Sequence, residues 1–176
     1  SARQILQMRF PFERIMGNGR SYTRKQKTKL FLRDGFIDRY SGDKLIFPPV
    51  LKILSNLMPD VFPYHKNWKT DQCHMAYWKL YPTIDHIVPV TRGGEDREEN
   101  WACTSQLRNS AKSNWMLSEL GWSLHEPGAL KEWDGLLGWF IKYVNARPEQ
   151  NDDPFIRSWY AAATGELKKG DDSCCR

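Results

Sequence analysis

The stretch TIDHIVPVTRGGEDREENWACTSQLRNSAKSNW, residues 83–115, decides how this chain is read. Thr83 to Val90 is a β-branched, apolar run that predicts a strand, with Pro89 near its end. Thr91 to Glu95, holding Gly93-Gly94, predicts a loop. Asn100 to Cys103 predicts a second strand, and Ser105 to Trp115 a helix. Near the end of the first strand stands the pair Asp85-His86. An imidazole accepts a proton near neutral pH, and an adjacent carboxylate holds a hard cation. Hydrolysing a phosphodiester needs both kinds of group, although an Asp-His pair at a strand end is by itself more often structural. Neighbours in a strand face opposite sides, so one site uses both only if a bend or bulge re-aims one. Pro89 and the glycine pair are the local source of such a bend.

Upstream, residues 30–47 alternate loosely around Arg33-Asp34-Gly35 and Ser41-Gly42-Asp43, which predicts the end of a short helix and then a hairpin. Pro48-Pro49 opens a helix over Val50, Leu51, Ile53, Leu54, Leu57 and Met58, and Pro59 ends it. Residues 60–82 are aromatic and polar, an irregular stretch with one helical turn. Downstream, Leu130 to Val144 has the spacing of an amphipathic helix, and Asp153-Pro154 starts a last one. Residues 1–29 lack clean periodicity and read as an arm, with a turn at Gly17-Asn18-Gly19.

Charge is spread unevenly. The chain has 176 residues and a formal net charge of +5. Residues 1–40 hold ten Lys/Arg against three Asp/Glu, residues 41–115 nine against eight, and residues 116–176 seven against ten. The basic arm, with Arg20, Arg24, Lys25, Lys27, Lys29 and Arg33, suits a polyanion. Apolar content of 40% excludes a disordered chain, and no apolar run reaches the ~20 residues of a membrane span. No leader pattern follows Ser1, itself expected to replace or truncate a native start. The four cysteines, Cys73, Cys103, Cys174 and Cys175, form no C-x-x-C pair, and the last two fall in a polar tail expected to fray. These features lead to an expectation of a reducing, cytoplasmic setting.

Asp85-His86-Ile-Val-Pro, Arg92-Gly93-Gly94, Glu99-Asn100-Trp and Asn109-Ser-Ala-Lys112 together resemble the HNH endonuclease family. Asn109 lies nine residues beyond Asn100, and Lys112 three beyond Asn109, as in that family's pattern. The resemblance covers about residues 33–115. It implies an α+β fold with a ββα-metal core near 83–115, extended by the hairpin, the inserted helix and a helical carboxy-terminal cap. The expected layout is a basic arm at 1–29, a nuclease domain at 30–116 and an extension at 117–176 packed on it. The resemblance also implies metal-dependent cleavage of DNA to 5′-phosphate and 3′-hydroxyl ends. In it His86 is the general base, and Asn100 orients the imidazole through its side-chain carbonyl. Asp85 and Asn109 ligate one divalent cation, and their oxygen-only character favours Mg²⁺ or Mn²⁺. Arg92 and Lys112 are candidate phosphate contacts, Lys112 alternatively steadying its helix, and Arg24, Lys25 and Lys27 are candidate backbone contacts from the arm. Double-strand cutting by a one-site enzyme would imply a homodimer.

Many HNH relatives staple this core with a zinc held by two C-x-x-C pairs. Here Asp38 and Ser41 stand in the first pair's frame, and Ser105 and Arg108 in the second's. No structural zinc is therefore expected. An Asp38–Arg108 ion pair, with Ser41 and Ser105 hydrogen-bonded nearby, is expected in its place. A second zinc arrangement, from His65, Cys73, His74 and Cys103, has suitable ligand types but no defensible spacing. The competing readings are a non-cleaving nucleic-acid-binding module of the same fold, an RNase, and an adaptor whose basic patch meets a protein.

Overall fold

The structure is a computed structural model that describes residues 1–16 and 20–173. It is mixed α+β, about 48% helix with one small two-stranded antiparallel sheet. The expected turn at residues 17–19 and the cysteines at 174–175 lie outside the described residues.

Strands β1 (Pro82–His86) and β2 (Trp101–Ser105) pair from Pro82 opposite Ser105 to His86 opposite Trp101. The first strand stops four residues short of Val90. Pro89 has no N–H to give, and the Asn100 side chain takes the Val88 N–H at 2.9 Å, so the ladder ends there. Between the strands the chain must turn sharply. Gly93 sits at φ +87°, and a Cβ on Gly94 would lie 1.9 Å from the Val88 carbonyl oxygen. Both glycines are required by the path of the loop. Helix α5 (Gln106–Lys112) follows at once, capped by the Ser105 hydroxyl on the Arg108 N–H, and packs on both strands. It ends before Trp115 because Ser113 turns to φ +50°.

Residues 24–33, six of them assigned to the arm, form a helix. In this order of elements, α1 is Ala2–Arg9, with no buried residue, and α2 is Arg24–Arg33. Thr23 caps α2, and Gln26 reaches back to the Thr23 N–H, a reciprocal pair that starts a helix without apolar periodicity. Leu30 and Phe31 anchor it in the core. The boundary drawn at residue 29 therefore falls inside a helix.

The inserted helix α3 (Pro48–Leu57) and the single turn α4 (Ala76–Lys79) stand where expected. Ile37 and Lys44 bridge the short hairpin between α2 and α3. Beyond the short α6 (Leu117–Leu120), the predicted helix from Leu130 begins only at α7 (Leu137–Ala146). The Asp134 carboxylate takes the Leu136 and Gly138 N–H groups, and both Gly135 and Leu136 have positive φ. Gly135 is held there by packing, since a Cβ would lie 2.4 Å from the Phe36 ring. Helix α8 (Pro154–Ser173) starts at the predicted Asp153-Pro154, with Asp153 accepting the Phe155 N–H at 2.7 Å.

One core unites these parts. Phe31 and Phe36, Phe47 from the α3 cap, Ile84 and Cys103 from the strands, and Phe140, Ile156 and Trp159 from α7 and α8 form a continuous cluster. The carboxy-terminal third thus packs on the strands' side of the molecule. A smaller cluster of Leu51, Cys73 and Tyr77 gathers Phe62, Trp68 and Tyr81, so the aromatics of 62–81 largely pack on one another. Among the described residues, no helix is long and apolar enough to cross a membrane.

Candidate functional site

The strand β1 is regular through both Asp85 and His86, without a bulge, so their side chains leave from opposite faces. The expected distortion is absent. Each side chain meets a different set of partners.

On one face, Asp85 Oδ2 accepts from the Tyr40 hydroxyl at 2.7 Å and pairs with Lys112 Nζ at 2.8 Å. Lys112 is wholly buried, donates also to the His86 carbonyl at 2.6 Å, and lies over the Tyr40 ring. Asp85 Oδ1 has no donor among the described residues, and the side chain as a whole is 10% exposed. Burial and the Asp85 carboxylate beside it push the Tyr40 hydroxyl well above the usual phenol range. Tyr40 therefore serves as a fixed hydrogen-bond donor. Asn109 on α5 leans on the same strand, its Nδ2 3.4 Å from the Ile84 carbonyl, one residue ahead of Asp85.

On the other face, His86 Nε2 lies 2.8 Å from Asp96 Oδ1. That oxygen also accepts from the Tyr22 hydroxyl at 2.7 Å and from Trp101 Nε1 at 2.9 Å. Burial pushes the Asp96 carboxyl up, but the bonds from Tyr22, His86 and Trp101 outweigh it and hold the group below the usual carboxylate range. Tyr22 is raised, first by burial and then by Asp96. The Tyr22 hydroxyl also lies 3.3 Å from His86 Nε2, and His86 Nδ1 has no partner among the described residues.

Asn100 does not orient the imidazole. Its Oδ1 accepts the Val88 N–H, and its Nδ2 donates to the Val88 and Glu95 carbonyls at 2.9 and 2.8 Å. Its side chain is spent on holding the glycine loop against β1.

Several expected phosphate contacts are otherwise engaged. Lys112 is buried and ion-paired, so of its two expected roles only that of steadying its helix remains. Arg92 grips Glu119 with both terminal nitrogens at 2.9 Å and stacks on the Phe12 ring. Arg24 lies over Phe155 and Trp159, and burial lowers the Lys27 ammonium. Lys25 alone of that trio is exposed.

The Asp38–Arg108 ion pair does not form. Asp38 is buried and accepts from the Tyr40 and Ser105 N–H groups and the Thr104 hydroxyl, each at 2.9 Å. Arg108 instead stacks on Trp122, 5.1 Å from its ring. The two bonds from Thr104 and Ser105 thus fasten the hairpin to β2, and the third braces the hairpin itself. Ser105 lies within this junction, whereas Ser41 donates to Asp43. Asp34 makes a parallel tie, accepting from Arg33, Arg39 and the Cys103 N–H. Cys73 and Cys103 belong to separate apolar clusters, and the His65 and His74 Nδ1 atoms accept from nearby backbone. No group of three or more His, Cys, Asp or Glu side chains suited to a metal gathers among the described residues.

Sequence reasoning missed Asp96, Tyr22 and Tyr40. Tyr22 and Asp96 meet His86 from 64 and 10 residues away along the chain, distances that carry no periodic signal. In comparison with known proteins, the chain matches no family model, no curated protein and no solved structure.

Proposed function

We propose that this chain is a metal-dependent DNA endonuclease of the HNH type, with β1, β2 and α5 as its ββα-metal core. The observation that carries the reading is the state of Asp85: Lys112 and Tyr40 secure Oδ2, Oδ1 has no donor among the described residues, and Asn109 on the adjoining helix reaches the Ile84 carbonyl one residue away.

Two side-chain oxygens suit Mg²⁺ or Mn²⁺, which keep several waters and complete their shell with substrate phosphate. When bound there, the cation would stabilise charge on the non-bridging and leaving oxygens. His86 ends β1, and a phosphodiester lying across that end would face both side chains although they leave from opposite faces. The imidazole nitrogen not engaged by Asp96 takes a proton from water. The water oxygen bonds to phosphorus as the bond to O3′ breaks. O3′ leaves with the electron pair and gains a proton from solvent, giving 5′-phosphate and 3′-hydroxyl ends.

A second reading, a nucleic-acid-binding module that does not cut, is favoured by the internal partners already held by Asp85 Oδ2 and His86 Nε2. Incubation of supercoiled plasmid with Mg²⁺ or Mn²⁺, against EDTA, separates the two. The nuclease reading expects metal-dependent nicking that His86→Ala abolishes with DNA affinity retained. DNA affinity without nicking under any cation would leave the binding module. Cleavage of RNA in place of DNA would reassign the substrate, since the metal chemistry does not choose the sugar.

A further inference from the structure

We infer that Asp96, a loop residue outside the four-residue HNH pattern, is the positioning residue for His86. It holds the imidazole as an Nε2–H donor and leaves Nδ1 as the face that meets water. The inference rests on the nuclease reading for its catalytic consequence, but its structural part stands on geometry alone.

An ionised carboxylate oxygen can only accept, and Asp96 Oδ1 has three partners. Trp101 Nε1 is a donor in every state. The Tyr22 hydroxyl carries its proton, because burial and Asp96 itself disfavour the phenolate. The third partner, His86 Nε2, must therefore also bring a hydrogen, which fixes the tautomer. In the neutral ring Nδ1 then carries the lone pair, and it is the ring nitrogen with no partner among the described residues.

The anchor is itself braced. Trp101 lies directly opposite His86 across the hairpin, so its indole carries Asp96 to the height of the imidazole. Tyr22 closes the third side and packs edge-on against Trp101 with ring centroids 5.0 Å apart. Asn100 contributes only through the loop, by pinning Glu95, the residue before Asp96. The role the HNH resemblance gave to Asn100 thus passes to Asp96.

The test joins spectroscopy with nicking kinetics. In nitrogen-15 spectra of the intact protein, His86 is expected to show a slowly exchanging Nε2–H proton at low field. Asp96→Ala should remove that signal. Asp96→Asn keeps an acceptor of the same size for Trp101 and Tyr22, guarding against loss of the fold, and should weaken the signal. In plasmid nicking, Asp96→Ala is expected to lower kcat about 10–100-fold at unchanged KM, as loss of a partner that orients a histidine does. In a His86→Ala background, where nicking is lost, Asp96→Ala should leave DNA affinity unchanged. A signal that survives Asp96→Ala, or a kcat that Asp96→Ala leaves unchanged, overturns the inference. A wild-type chain that never nicks DNA overturns the nuclease reading, while the imidazole spectrum still decides whether Asp96 holds the ring.

Discussion

Lys112 Nζ sits 2.8 Å from Asp85 Oδ2, an ammonium with no solvent exposure neutralising a carboxylate that is nearly as buried. The pair leaves the candidate cation site with little net charge. A divalent ion there must draw much of its binding from substrate phosphate, so weak affinity without DNA is expected.

Lys112→Met tests this directly. Removing one partner of a buried pair costs about 3–5 kcal/mol, because the other charge stays uncompensated. Thermal unfolding should show that loss, and Mg²⁺ should restore part of it by standing in for the ammonium. Wild-type stability should respond less to the same Mg²⁺ titration. Equal responses in both proteins would place the cation elsewhere.

Asn100 offers a test of the loop rather than of the chemistry. Its Nδ2 donates to two carbonyls, so Asn100→Asp sets a carboxylate against both the Val88 and Glu95 oxygens. The variant is expected to lose about 2–3 kcal/mol, the range for unsatisfied or repelling polar groups. Proteolysis should open the 88–95 loop first. A stability unchanged by Asn100→Asp would mean that these three bonds do not hold the loop.

The Asp96 carboxyl titrates below its ordinary value, so its bonds stabilise the fold above the unfolded pKa of about 4 and fade as pH falls through the lowered folded value. Melting temperature followed from pH 6 down to pH 3 should therefore fall more steeply in the wild type than in Asp96→Asn. Parallel acid limbs would show that the Tyr22, His86 and Trp101 bonds favour neither form.

The sequence was most legible where one residue type permits one conformation. Pro48-Pro49 and Asp153-Pro154 set helix starts because proline at the first turn gives up an N–H that has no partner there. Gly93-Gly94 marked the loop because a side chain at Gly94 would strike the Val88 carbonyl. Helix α2 was illegible because polar capping by Thr23 and Gln26 starts it, and contact with α8, over a hundred residues on, completes its burial. Asp85 and Asn109 were singled out by the HNH resemblance, and the structure sets the Asn109 amide against the Ile84 carbonyl, one residue from Asp85. Asp96 and Tyr22 were not, since their approach to His86 depends on how a loop and a chain segment close over β2.

Asp38 and Arg108 permit the sharpest test of how the hairpin is tied to β2. An ion pair would make the two side chains equally important. The hydrogen-bond arrangement makes them unequal: Asp38 satisfies three buried donors, whereas Arg108 only stacks on Trp122. Asp38→Ala is expected to cost about 3 kcal/mol or more, because each abandoned buried donor carries a desolvation penalty of roughly 1–3 kcal/mol. Arg108→Ala should cost about 0.5–1 kcal/mol, the scale of a partly exposed cation–π contact. Asp38→Asn separates charge from geometry, since its amide oxygen can still accept but its nitrogen faces a donor. It should fall between the two. Chemical denaturation of the three variants gives the ordering, and equal losses for Asp38→Ala and Arg108→Ala would revive the ion pair.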